Sequence, residues 1–246
     1  FFGRLLIAST DRIGANADIT LKENKVVRFL LKDFRNSVID FPPSIKKLSK
    51  VKKRKPFPRK EHQIKAIKEV LEKIDSIERG QVLMACGTGK TLTSLWIKED
   101  FKAKQVLVLV PSLNLISQTL RAWRNNLTDP FAWQCVCSDK TVYINKKRDL
   151  EDNWINDTSE LGIPVTSCTE EIKKFLCKKE SKVLFSTYQS SQLIVEAQKE
   201  SQVPSFDIVF ADEAHKLAGK ISKDFSYILD NEKIRAKKRL FFTATP

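Results

Sequence analysis

The 246-residue sequence is 41% hydrophobic, enough to bury a sizeable core, so it is not a disordered tail, and its length fits one domain or one domain plus a fragment. Its 44 Lys+Arg against 30 Asp+Glu give a net charge of +14, which favours polyanionic partners through counterion release, nucleic acid ahead of an acidic membrane surface. No apolar run approaches the roughly 20 residues that span a bilayer, and Phe1-Phe2-Gly-Arg-Leu-Leu-Ile-Ala8 is too short and wrongly flanked for a signal sequence, which implies a soluble cytoplasmic protein.

Taken in chain order, Arg4 to Ser9 reads as a short strand, and the stretch to Phe41 alternates strand-like and helix-like patches without a core of its own. From Lys46 to Lys60 the chain is densely cationic and carries prolines without periodicity, which marks a linker. The expected division is an N-terminal segment 1–45, a basic linker 46–58 and a folded domain 59–246. The linker reads first as a solvated spacer; a phosphate-backbone tether and a nuclear-import signal also fit its charge. Beyond it, Ile64, Ile67, Val70 or Leu71, and Ile74 recur at helical spacing in an amphipathic helix that opens near Glu61.

An apolar strand, 81–85, then runs into Met84-Ala-Cys-Gly-Thr-Gly-Lys90-Thr91, and a helix follows over 90–101. Strand, glycine-rich loop and helix in that order make a phosphate-binding loop. Gly87 and Gly89 let backbone N–H groups of Cys86, Gly87, Thr88 and Gly89 close on phosphate oxygens, and the helix adds the positive end of its dipole. Lys90 can reach the β and γ phosphates, and the Thr91 hydroxyl can meet a magnesium ion. The loop departs from the usual pattern at one position, where Met84 replaces the first glycine.

Strand 105–110, helix 113–127 and strand 131–137 come next, then a polar stretch from Ser138 to Lys179 expected as a surface insertion with short helices. Strand 182–187, helix 189–200 and strand 206–211 complete the alternation before a last strand, 238–243. Such alternation predicts an α/β fold with a mainly parallel sheet covered by helices on both faces. The five cysteines lack the spacing of a disulfide framework or a zinc site and read as reduced, with Cys135 and Cys137 as small apolar residues on one strand face. Phe185 and Trp123 read as core aromatics, while Tyr188 fits either the core or a base-stacking role. Asp212-Glu213 stands at the C-terminal end of strand 206–211. There Asp212 can hold magnesium and Glu213 can orient and deprotonate the water that attacks a γ phosphate. Both carboxylates and the phosphate loop fall where ligands bind on open α/β sheets.

Met84 to Thr91, Asp212-Glu213-Ala214-His215 and Thr243-Ala244-Thr245 occur in the order of motifs I, II and III of superfamily 2 helicases and translocases, and the chain resembles that family over about residues 56–246. Within it the resemblance is to the DEAH-type motor of restriction-modification enzymes of the type I, type III and single-polypeptide ISP groups. Val108 to Gln118 resembles motif Ia, Val183 to Gln189 motif Ic, and Ile163 to Ser167 a stretch of the single-polypeptide group. The resemblance implies a RecA-like P-loop NTPase domain that uses ATP and Mg2+, with Gln63 on the adenine and Arg59 or Lys60 at the arginine that usually precedes it. It implies that His215, Thr243 and Thr245 couple the nucleotide to motion. It places double-stranded DNA on Ser112, Asn114, Gln118, Thr187 and Gln189. It further implies a second RecA-like domain supplying an arginine finger, and nuclease and methyltransferase domains or subunits as partners; residues 16–41 fit either the tail of an Mrr-like nuclease domain, with no nuclease activity of their own, or an N-terminal extension packed on the motor. A lobe without its partner is expected to hydrolyse ATP poorly, since loss of an arginine finger costs about 10³–10⁵ in rate.

Two rival functions keep the same motifs. An RNA-remodelling helicase differs only in the stretches near Pro111, Pro164 and Tyr188, and a nucleotide-gated binding module would have no use for Glu213 as a water-orienting acid.

Overall fold

A computed structural model describes residues 5–14, 16–17, 20–21, 26–35, 37, 39–40, 44, 52–53, 55–137, 163, 165–213 and 227–244. At the N-terminal side, β1 (Leu5–Ile7) pairs in parallel with β2 (Val27–Phe29), α1 (Leu31–Arg35) follows, and β3 (Ile39–Asp40) pairs antiparallel with β4 (Lys52–Lys53). The basic run therefore contributes one edge of a small ribbon. Contacts among the described residues link this side to the larger unit: Arg121 Nη2 lies 3.2 Å from Asp33 Oδ1, and the Phe57 amide donates to Asn126 Oδ1 at 2.7 Å.

The larger unit runs α2 (Glu61–Ile74), β5 (Arg79–Leu83), α3 (Lys90–Asp100), β6 (Gln105–Val110), α4 (Leu113–Asn126), β7 (Ala132–Val136), β8 (Val165–Thr166), α5 (Thr169–Leu176), β9 (Lys182–Thr187), a 3₁₀ turn (Tyr188–Ser190), α6 (Ser191–Gln198), β10 (Phe206–Ala211), a second 3₁₀ turn (Tyr227–Leu229) and β11 (Ala236–Thr243). Its seven strands form one sheet in the order β5-β11-β10-β6-β9-β7-β8, and every neighbouring pair is parallel. Consecutive parallel strands need crossovers, and helices supply them on both faces of the sheet. The fold is the parallel α/β sheet, covered by helices on both faces, that the alternation predicted.

Side-chain alternation divides the core in two. Val106, Val108 and Val110 of β6 face a layer with Ile67, Leu95, Ile97, Trp123, Phe185, Phe210 and Phe242. Leu107 and Leu109 face the other layer, with Ile172, Leu176, Leu184, Ile194, Val209 and Ile228. Because both faces are covered, β6 and β9 are buried along their whole length, and β6 accordingly reads as an unbroken apolar run over Val106–Val110.

Several boundaries differ from the sequence reading. In α2, Ile67 and Ile74 are buried but Ile64 is 51% exposed, so the apolar stripe is narrower than its spacing suggested. The expected helix 189–200 begins as the 3₁₀ turn and is regular only over Ser191–Gln198. The surface insertion expected over 138–179 is corrected at its C-terminal part: β8 adds the seventh strand, and α5 buries Ile172, Phe175 and Leu176 against the sheet. Residues 138–162 lie outside the described residues.

Trp123 anchors the layer under the phosphate loop. It is fully buried, its ring meets Phe131, Phe185 and Phe210 edge to face at 5.6–6.0 Å, and its indole Nε1 donates to the Thr91 carbonyl at 2.9 Å. Trp123→Ala should cost about 3–5 kcal/mol of stability through the cavity and the lost hydrogen bond. A urea titration of the purified protein checks this; an unchanged midpoint would deny Trp123 that structural weight.

Candidate nucleotide and catalytic site

The C-terminal ends of β5, β11, β10, β6 and β9 lie along one sheet edge, so the loops that follow them gather there. After β5 the chain turns through the loop that precedes α3. Gly87 and Gly89 take the left-handed backbone, φ 76° and 90°, and Gly89 is the N-cap of α3. Thr88 closes the turn, its Oγ1 donating to the Ala85 carbonyl at 2.7 Å. The loop is fixed to its neighbour strand as well, since the Met84 amide donates to the Thr243 carbonyl at 3.0 Å. Thr243, expected as a coupling residue, is thus buried beside the loop. His215 and Thr245 lie outside the described residues.

Lys90 opens α3 with a buried side chain. Its Nζ stands 3.1 Å from Glu213 Oε1, an ion pair at contact distance without the alignment of a hydrogen bond. Lys90 and Glu213 are far apart in sequence; the parallel pairing β5-β11-β10 brings them together. Asp212 and Glu213 follow β10 directly. The Asp212 amide continues the ladder onto the Leu109 carbonyl at 2.9 Å, and Asp212 Oδ1 accepts the Glu213 amide at 2.9 Å. Glu213 holds φ 52°, uncommon for a residue with a Cβ, and its carboxylate lies against Lys90. Thr91, half-buried in the first turn of α3, completes the group of Lys90, Thr91, Asp212 and Glu213 at this edge.

Gln63 enters from α2. It is 3% exposed, its Nε2 donates to the Thr88 carbonyl at 3.0 Å, and its Oε1 accepts the Lys60 amide at 2.9 Å. Both ends of the amide are bound to protein, so the adenine contact implied by resemblance requires Gln63 to exchange one of these partners. His62 Nε2 lies 3.0 Å from the same Thr88 carbonyl. Arg59 forks Asp100 with two bonds, 2.6 and 2.8 Å, and lies over the Trp96 ring. Cys86 is exposed on the loop, while Cys135 and Cys137 are buried in the core.

The residues expected to meet DNA lie after β6 and at and after the end of β9. Ser112 caps α4, its Oγ accepting the Leu115 amide at 3.4 Å; Asn114 is half-buried and Gln118 exposed on the same helix. Thr187 is buried, its Oγ1 2.9 Å from Ser190 Oγ, which in this structure turns its hydroxyl away from the surface. Gln189 is half-buried, and its Oε1 is enclosed without a hydrogen-bond partner. Tyr188 resolves to the core: it is fully buried and its hydroxyl donates to the Asp212 carbonyl at 2.7 Å. Burial first, and the nearby Asp212 and Glu213 carboxylates after it, push its phenol well above the usual range, so the hydroxyl stays a donor. Sequence reasoning missed this bond and the one from Trp123 to Thr91, because both end on backbone carbonyls that no side-chain pattern marks.

With that geometry in place, residues 57–246 match the family described as type III restriction enzyme, res subunit. The chain belongs to that family. It is the first RecA-like domain of a superfamily 2 helicase-type motor. It is 31% identical over 170 residues to the probable helicase A859L of African swine fever virus (isolate Pig/Kenya/KEN-50/1950), a match covering 68% of this chain and 17% of the viral protein. Among solved structures, the ATP-dependent type ISP restriction-modification enzyme LlaBIII bound to DNA matches 98% of this chain with TM-score 0.82 and 33% identity. A nuclease-deletion mutant of the type ISP enzyme LlaGI, in complex with a DNA substrate mimic, matches 77% with TM-score 0.61 and 34% identity. The chain spans 16% of the LlaBIII chain and 18% of the LlaGI chain. Among the described residues, no helix is long and apolar enough to cross a membrane.

Proposed function

We propose that this chain is the ATP-binding first lobe of an ATP-dependent double-stranded DNA translocase, the motor of a restriction-modification enzyme. The observation that carries this reading is the meeting of Lys90 and Glu213 at 3.1 Å, since a phosphate-binding lysine and a water-activating acid at one sheet edge are the parts phosphoryl transfer needs. The left-handed Gly87 and Gly89 and the donor set of Thr91 and Asp212 fit a nucleotide with its metal ion. Mg2+ supplies charge neutralisation at the phosphate oxygens when bound. Lys90 leaves Glu213 to meet the terminal phosphates, and Glu213, released, accepts a proton from the attacking water. Asp212 and Thr91 would hold the metal, and Gln63 braces the loop through Thr88.

The catalytic set is completed by an arginine from a second RecA-like domain. Residues 1–45 belong to an upstream domain of nuclease type and 46–58 join it to the motor. His215, Thr243 and Thr245 couple the nucleotide to motion, and duplex DNA runs over Ser112, Asn114, Gln118, Thr187 and Gln189. The DNA in the LlaBIII and LlaGI structures favours DNA over RNA as the track.

Steady-state ATP hydrolysis by the complete protein tests the reading, with duplex DNA, with RNA and with neither. Stimulation by duplex alone supports it. Stimulation by RNA alone would make it a remodelling helicase, and no hydrolysis under any condition a binding module.

The loop geometry adds a prediction. A left-handed backbone costs a residue with a Cβ about 1–2 kcal/mol, and a Cβ on Gly89 would stand 2.4 Å from Gln63 Nε2. Gly89→Ala should therefore weaken binding of a fluorescent ATP analogue by about tenfold or more. Equal affinity in an equilibrium titration would show that the loop does not close around the nucleotide as proposed.

A further inference from the structure

The 3₁₀ turn after β9 stands between the two expected functions of the lobe. Its three residues point to different places. Tyr188 runs inward through the core to the Asp212 carbonyl, 2.7 Å away. Gln189 carries an enclosed Oε1 that no group of the described protein satisfies. Ser190 holds the Thr187 hydroxyl at 2.9 Å, which locks the end of β9 to the start of the turn.

The turn and the carboxylates are joined by one side chain. β9 and β10 are not neighbours in the sheet; β6 lies between them. Asp212 is therefore tied to the β6 end through its amide on Leu109, and to the β9 end through its carbonyl on Tyr188. A shift of the turn must move Tyr188, and Tyr188 is packed too tightly to move without Asp212. The next residue, Glu213, is held in the left-handed region, so a small rotation at Asp212 redirects the carboxylate that pairs with Lys90.

We infer that Tyr188 is a positioning residue that couples duplex contact at Gln189 to the placement of Asp212 and Glu213. The inference rests on the reading of the lobe as a DNA motor. Gln189 is half-buried with its Oε1 enclosed, so the duplex meets the other end of the amide, whose Nε2 can donate to a phosphate oxygen, and a shift of the turn on binding lets the unsatisfied Oε1 find a donor. The Tyr188 hydroxyl gives the catalytic side a fixed strut. Because coupling in binding is reciprocal, nucleotide at Lys90 and Glu213 must change duplex affinity through the same strut.

Tyr188→Phe keeps the buried ring and removes only the hydroxyl. In the complete protein, duplex affinity is measured by fluorescence anisotropy with no nucleotide and with a non-hydrolysable ATP analogue. The wild type should shift its duplex Kd by about 5–150-fold between the two states. In Tyr188→Phe the shift should collapse to within about twofold, while the melting temperature in circular dichroism reports that the fold is kept. Alongside, duplex-stimulated kcat should fall by about tenfold with the KM for ATP within about twofold, a split that a general loss of packing would not give.

A second readout needs no substitution: duplex added to the wild type should alter hydrogen exchange at the Asp212 and Glu213 amides. A wild-type nucleotide shift that persists undiminished in Tyr188→Phe, or exchange at 212–213 indifferent to duplex, overturns the coupling role and leaves the motor reading intact. A wild type that neither binds duplex nor is stimulated by it overturns both.

Discussion

Glu213→Gln in the complete protein should lower the maximal rate of ATP hydrolysis by about 10²–10⁴-fold while nucleotide still binds. The amide is the same size as the carboxylate, so the backbone at φ 52° and the bond from its own N–H to Asp212 Oδ1 survive the change. What disappears is the capacity to take a proton from water. The charge that faces Lys90 also disappears, which frees the lysine for phosphate and should leave nucleotide affinity equal or higher. Single-turnover hydrolysis beside equilibrium binding of a fluorescent analogue separates the two effects. A variant rate within about threefold of wild type would remove Glu213 from the water-activating role and leave it a partner of Lys90 alone.

The ease of reading this site from sequence followed the range of the interactions. The phosphate loop is local: Gly87 and Gly89 take positive φ because the turn into α3 requires it, and the residues that require it are adjacent in the chain. The central strands were legible because burial on both faces leaves runs such as Val106 to Val110 without polar interruption. Strand β8 was not, since two residues carry no periodicity, and its place at the sheet edge follows from pairing with Cys135 and Val136. The helix behind it did carry a signal: Ile172, Phe175 and Leu176 recur at helical spacing, but the surrounding lysines and glutamates masked the stripe.

Contacts between distant segments were the least visible. Lys90 and Glu213 were both placed at the C-terminal edge of the sheet, yet nothing in either motif states that they touch, because the contact depends on strand order. Gln63 shows the limit from the other side. Its position at the head of an amphipathic helix was legible, whereas its double engagement with Thr88 and Lys60 was not, and that engagement decides whether its amide is available to a base. The same holds for Thr187, whose hydroxyl reads as a phosphate contact in sequence and is buried against Ser190 in the fold.

Lys90→Ala should reduce hydrolysis by about 10²–10³-fold or more, and it should do so differently from Glu213→Gln. Lys90 supplies the cation at the head of α3, beside the backbone N–H groups that the two glycines expose, so its loss weakens nucleotide binding as well as the chemical step. It also removes the cation that stands 3.1 Å from the partly buried Glu213. The double variant Lys90→Ala with Glu213→Gln should accordingly be no slower than Lys90→Ala alone, because the two residues act on one step as a unit. Rates and analogue affinities of the four proteins, measured with saturating duplex, close the cycle. Strict additivity of the two losses would mean that the pair serves two independent purposes. Full affinity in Lys90→Ala would mean that the glycine turn merely caps α3 and cradles no phosphate.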